Sequence, residues 1–155
     1  MRSSMRKNMA LAIFEVLEIM FFQPVQFVDH QLPLNEWFPE NESLKVARLE
    51  FAGPVSGAFY LLIPIALAAE MTANFLGLSE DGVSDQQQAD TIKEALNMIG
   101  GHMLSLFDEQ GKYQLGIPAL LAENESMTKP VEYENEEILL IETGTMRLAA
   151  GIRLQ

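Results

Sequence analysis

Glu94 and Asn97 stand three residues apart in the run Asp90-Thr91-Ile92-Lys93-Glu94-Ala95-Leu96-Asn97-Met98-Ile99-Gly100-Gly101. Read as a helix, the run sets Asp90, Glu94, Asn97 and Gly101 at steps of four, three and four. At ~100° per residue they share one stripe about 60° wide. Ile92, Leu96, Ile99, Met103 and Leu106 fall on the other side and are the expected core anchors. A carboxylate, a carboxamide that both donates and accepts, and then a glycine, all shown to solvent, make a face built to meet a partner. Ordinary residue frequencies give ~0.4 chance occurrences of Glu-x-x-Asn in a chain of this size, and ~0.05 once Asp or Ser is required four residues earlier. The longer pattern is therefore the informative one. Each glycine inside a helix costs ~1 kcal/mol relative to alanine, which points to close approach: by Gly101 to the partner, and by Gly100 to neighbouring backbone within the fold.

The elements that must position this stripe follow from periodicity. Ser84 or Asp85 caps a long helix running to Phe107 or Asp108, with Gly111 as the break. Ala10, Ile13, Phe14, Leu17, Met20 and Phe21 follow helical spacing and predict a first helix over residues 8–22, ended by Pro24. Residues 25–43, with Pro33, Trp37 and Pro39, read as an irregular connection holding at most a short strand. Residues 44–51 and 57–63 are apolar, partly alternating runs joined by Gly53-Pro54-Val55-Ser56, which predicts a hairpin. Pro64 suits the first turn of a helix through Leu76, stopped by Gly77. Residues 79–88 form a loop, 113–117 a strand ended by Pro118, and 122–130 a polar connection. The runs 131–141 and 145–154 form a closing hairpin around Glu142-Thr143-Gly144. Helices interleaved with antiparallel hairpins predict a single α+β domain over residues 1–155. Its sheet is mainly antiparallel, with two long helices and one shorter one.

Composition narrows the function. A formal net charge of −12 argues against nucleic acid, whose phosphates need clustered Lys and Arg. The chain has no cysteine and hence no thiol chemistry, and His30 and His102 lack ligand-like spacing, so no metal site is expected. Arg2, Arg6 and Lys7 precede the apolar run 9–22, but Glu15 and Glu18 interrupt it and no cleavage site follows. It is also too short and too charged to cross a membrane. A cytoplasmic protein without membrane insertion is expected.

With these residues in view, the chain resembles the CheC, CheX and FliY family of chemotaxis phosphatases. That family carries an Asp/Ser-x-x-x-Glu-x-x-Asn signature on an exposed helix, matched by Asp90, Glu94 and Asn97. The resemblance extends to length, to the order of helices and hairpins, to the Ile117-Pro118 strand end and to the closing hairpin. Glu15 and Glu18 in the first helix repeat the three-residue spacing, a faint sign of internal duplication. Glu18 stands there where a second asparagine is needed, so one active surface is expected. With a single motif in the later long helix, the chain is most similar to CheX, a family member that forms homodimers.

The resemblance implies hydrolysis of the aspartyl phosphate of a CheY-like response regulator, whose own site supplies the acceptor aspartate, a lysine and Mg²⁺. No cofactor of the chain's own is expected. The implied catalytic residues are Asn97, orienting an attacking water, and Glu94, pairing with the regulator's lysine. Asp90 has an orienting role, while Met98, Leu104 and Gly101 supply contact to the partner. Two other readings compete: a non-catalytic adaptor of the same fold that binds a receiver without turnover, and a dimeric scaffold that buries the stripe in a subunit interface. Glu15 and Glu18 are read as a solvated face or part of a docking surface, and His102 as a packing or surface residue. The nine methionines are read mainly as core. The cluster Glu132, Glu134, Glu136 and Glu137 is read as a strand edge kept soluble by charge.

Overall fold

Gly57–Pro64 is apolar throughout and buried along its whole length, which suits a strand covered on both faces. It forms β3, at the centre of a seven-stranded antiparallel sheet. The computed structural model describes residues 2–121, 136–144 and 146–155. Its elements are α1 (Arg2–Phe21), β1 (Gln26–Phe27), α2 (Leu34–Trp37), β2 (Leu44–Ala52), β3 (Gly57–Pro64), α3 (Ile65–Leu76), a 3-10 turn at Glu80–Gly82, α4 (Asp85–Phe107), β4 (Gln114–Leu115), β5 (Ala119–Leu120), β6 (Glu136–Thr143) and β7 (Met146–Leu154). The α+β architecture and both hairpins match the expectation from sequence.

One face of the sheet carries α1, α3 and α4. Ala47, Leu49, Phe59, Leu61, Leu139 and Ile141 meet the helices there in the larger core. On the opposite face Trp37 and Phe38 pack with Val46, Tyr60, Leu62, Leu140 and Ala149. The Trp37 indole N–H donates to the Leu148 carbonyl at 2.9 Å, and the Arg147 guanidinium lies 4.4 Å from the ring centroid.

The sheet order is β1-β6-β7-β3-β2-β4, with β5 also on β2. Exchanging each strand of the first half for its counterpart in the second reverses this order onto itself. The register repeats too. Gln26 and Phe27 lie opposite Glu142 and Ile141, and Gln114 and Leu115 lie opposite Ala52 and Phe51. β3 and β7 pair antiparallel at the centre. A pseudo-two-fold axis normal to the sheet therefore passes between β3 and β7. It relates α1 to α4 and sets them antiparallel. The duplication that was faint in the sequence is plain in the strand register.

Several sequence expectations shift. The first helix begins at Arg2, and its buried side is Met5, Met9, Ala12, Ile13, Val16, Leu17 and Phe21, while Phe14 and Met20 face outward. From Leu11 onward the helix carries large apolar residues on its outer side as well as its inner one, so period alone did not fix which of them turn inward. The connection 25–43 holds the short helix α2 as well as β1. Pro64 is the N-cap of α3 rather than inside its first turn, and Gly77 ends that helix in the left-handed conformation (φ 69°). The strand expected over 113–117 is only Gln114–Leu115, and Ala119–Leu120 adds to β2 beyond it. The connection 122–130, the strand start 131–135, Thr145, Glu132 and Glu134 lie outside the described residues. Glu136 and Glu137 do not form a bare charged edge: Glu136 accepts from Arg153 and Glu137 from Arg6. Arg6 also donates to the Ile138 carbonyl of β6 at 2.9 Å.

Candidate functional site

The polar stripe sits on α4, whose start is fixed locally. The Ser84 hydroxyl accepts from the Gln87 backbone N–H, and the Gln87 side chain accepts from the Ser84 N–H, a reciprocal capping box. At the far end Asp108 accepts from the backbone N–H groups of Lys112 and Tyr113, which turns the chain into β4. Between these ends Thr91, Ile92, Ala95, Leu96, Ile99, Gly100 and Met103 are buried against the sheet and the neighbouring helices. Leu106, one of the expected anchors, is instead exposed.

Asp90, Glu94, Asn97 and Gly101 are all exposed, on one side of this anchored helix. Asp90 is engaged locally: it accepts from Gln86 Nε2 at 2.8 Å, and Lys93 Nζ lies 3.6 Å from its Oδ1. Glu94 and Asn97 have no side-chain hydrogen bond or ion pair with any described residue. Residues three apart on a helix hold their Cβ atoms about 5–6 Å from one another, so a free carboxylate and a free carboxamide point outward side by side. Met98 and Leu104 are half-buried at the two borders of the stripe, and Met98 packs partly on the core. Among the described residues, no group of three or more His, Cys, Asp or Glu side chains is placed to hold a metal ion.

The two glycines differ. A Cβ on Gly100 would lie 2.6 Å from Leu49 Cδ2 and 3.4 Å from Leu115 Cδ2. Gly100 thus lets the helix settle onto β2 and β4, against side chains and not the backbone expected from sequence. A Cβ on Gly101 would meet nothing within 4 Å. No contact among the described residues demands glycine there.

The pseudo-two-fold locates the matching positions on α1. Counting back from the helix ends Phe21 and Phe107, buried residues coincide: Met5 with Thr91, Met9 with Ala95, Ile13 with Ile99 and Leu17 with Met103. Ser4, Asn8 and Leu11 then stand where Asp90, Glu94 and Asn97 stand on α4. The Glu15/Glu18 pair is therefore not the structural counterpart of Glu94/Asn97; that counterpart lies about two turns earlier. Sequence spacing alone had no means of choosing between these registers. Glu15 instead lies beside α4, with its Oε2 2.6 Å from His102 Nε2. Because the helices are antiparallel, moving back from His102 to Asn97 on α4 corresponds to moving forward from Glu15 to the stretch 19–22 on α1. Ile19 and Phe22 in that stretch are exposed apolar residues, and sequence reading had not singled them out.

Comparisons with known proteins agree with this architecture. A family model described as chemotaxis phosphatase CheX matches residues 46–141, more than half of the chain. Chemotaxis protein CheX from Vibrio vulnificus is similar in structure with a TM-score of 0.77, at 16% identity over 100% of this chain and 99% of that one. A chain of the CheX–CheY–BeF3–Mg²⁺ complex from Borrelia burgdorferi gives a TM-score of 0.71, at 15% identity over 97% of each chain. A CheC-like chemotactic protein from Shewanella oneidensis gives 0.76, at 14% identity over 100% of each. At such identities the structural likeness shows a shared fold. No curated protein matches the chain. No helix among the described residues is long and apolar enough to cross a membrane.

Proposed function

The chain belongs to the CheX family of chemotaxis phosphatases, and on that premise we propose that it hydrolyses the aspartyl phosphate of a CheY-like response regulator with Asn97 and Glu94. The observation that carries this reading is that Glu94 and Asn97 are exposed, adjacent on a rigidly seated helix, and free of partners among the described residues. The receiver domain contributes the acceptor aspartate, a lysine and Mg²⁺. In phosphoryl transfer the protein has little covalent work to do, so positioning and electrostatics dominate.

Asn97 enters the receiver's site and holds a water in line with the phosphorus. A carboxamide suits the task because it donates and accepts without adding negative charge beside a phosphoryl group. The water oxygen bonds to phosphorus as the phosphorus–oxygen bond to the aspartyl group breaks, releasing inorganic phosphate and a free carboxylate. Glu94 pairs with the receiver's lysine and fixes the register of docking through a charge-assisted hydrogen bond. Asp90, already held by Gln86 and Lys93, keeps the first turns of the stripe in order. Met98, Gly101 and Leu104 supply contact around it.

The homodimer seen in the family resemblance belongs to the same proposal and is checked by light scattering. The functional test is release of phosphate from a phosphorylated CheY receiver. The reading expects wild-type protein to accelerate decay well above the receiver's own rate. Unaltered decay together with tight binding would favour the adaptor instead.

A further inference from the structure

We propose that the corner formed by Ile19, Phe22, Leu76 and Leu78 is the second half of the docking surface and anchors the receiver domain whose phosphoryl group meets Asn97. The inference rests on the phosphatase reading above and extends it to a surface outside the motif helix.

Area comes first. A stable protein–protein contact covers ~800 Å² of each partner. The stripe from Asp90 to Gly101 is only ~17 Å long and about one helix, ~10 Å, wide. A receiver seated on Asn97 must therefore cover the elements beside it. On the α1 side the adjoining stretch holds Ile19, 67% exposed, and Phe22, 70% exposed. The end of α3 joins the same corner. Phe75 stacks on Phe21 with ring centroids 5.0 Å apart, and Asn74 Nδ2 donates to the Phe21 carbonyl at 2.9 Å. Leu76 and Leu78, next in the chain, are exposed. Four large apolar side chains thus open to solvent around one corner, beside the half of α4 that carries Glu94 and Asn97.

Phe22 supplies an independent observation. Its φ is +55°, and it is the only non-glycine with positive φ among the described residues. For a bulky residue that conformation is an outlier. At the end of α3 the same left-handed position is filled by glycine, at Gly77. Phe22 accepts the strain and leaves its ring mostly in water, so neither backbone preference nor internal packing accounts for an aromatic there. Strained residues of this kind collect at functional sites, and exposed aromatics are the usual anchors of protein interfaces. Glu18 stands one helical turn before Phe22, and Asp90 and Glu94 lie on the α4 stripe, so the fitting partner is a receiver face with an apolar patch rimmed by lysine and arginine.

Steady-state dephosphorylation of a CheY receiver, with affinity measured against the same receiver loaded with beryllofluoride and Mg²⁺, tests the assignment. Phe22→Gly is expected to raise Tm by relieving the strain, yet to weaken binding. Combined with Ile19→Ser it is expected to raise KM and Kd at least tenfold while kcat stays within twofold. Ile65→Ser, an exposed apolar change at the opposite end of α3, should leave KM unchanged. Unchanged KM and Kd in the Phe22→Gly/Ile19→Ser variant would overturn the proposal. So would a change in oligomeric state with receiver binding intact, since the corner would then join two copies of this chain. Asn97→Ala separates the two ideas: retained turnover there defeats the phosphatase reading, whereas a corner variant that binds normally while Asn97→Ala is inactive defeats only this inference.

Discussion

The two ends of the α1–α4 layer are built from the same parts and carry opposite chemistry. On α4 the exposed positions are Asp90, Glu94, Asn97 and Gly101; on α1 the equivalent positions hold exposed Ser4 and Leu11 and half-buried Asn8 and Glu15. The buried residues beneath them match closely, so the scaffold holds both helices alike. What differs is the exposed chemistry. Leu11, 44% exposed, has no group with which to orient a water, and Glu15 stands where Gly101 leaves open room. The comparison teaches that the fold presents the same helix face twice by symmetry, and that on the proposed reading a few exposed side chains decide which face acts.

The largest expected effect comes from making the proposed active face on α4 copy its counterpart on α1. Asn97→Leu should lower kcat about 100-fold or more, the scale of losing an oriented reactant, with little change in Tm because the position is exposed. Dephosphorylation kinetics and a thermal melt on the same sample check both halves of that statement. Charge reversal comes next. Glu94→Lys should weaken receiver binding about tenfold or more, consistent with ~1.5–3 kcal/mol for a hydrogen bond to a charged group. It should weaken binding more than Asn97→Ala does, and equal losses in titration calorimetry would dissolve the division between clamp and water-holder.

The glycine pair gives smaller, opposed effects. Gly100→Ala should destabilise by about 1–3 kcal/mol, because the new methyl meets Leu49 and overpacks the seat of the helix. Gly101→Ala should stabilise by ~1 kcal/mol as a helix gains alanine, while reducing receiver affinity. Denaturant melts separate the signs. The smallest effect is expected at the counterpart face on α1. Asn8→Glu with Leu11→Asn should raise turnover by no more than about twofold, the ceiling for adding a second site. In an Asn97→Ala background a turnover assay shows whether those two changes suffice, and little recovery is expected while Glu15 remains.

Much of this was readable in the sequence because local rules carried it. The α4 stripe, its Ser84 cap and the two hairpins follow from period, capping and turn residues and agree with the structure, except that Glu142 and Thr143, read as turn, are strand residues paired with Arg147 and Met146. In α1 Ile13, Leu17 and Phe21 of the helical pattern are buried while Phe14 and Met20 face outward, because Leu11, Phe14, Ile19 and Met20 put large apolar residues on the outer side too, and only tertiary packing separates the two. The pairing of Glu15/Glu18 with Glu94/Asn97 failed for a related reason. Spacing within a helix carries no information about where a pseudo-two-fold axis crosses it, whereas the strand registers of β1 and β4 do. The left-handed Phe22 was invisible for a third reason: nothing in its type signals a backbone position that glycine would ordinarily fill.

The central claim is tested most directly with Asn97→Ala. Its decay rate on a phosphorylated CheY receiver should be measured alongside its affinity for the same receiver carrying beryllofluoride and Mg²⁺. The account predicts that the receiver's phosphoryl group decays no faster than it does alone, while affinity stays within a few-fold of wild type. Decay as fast as with the wild-type protein would contradict it.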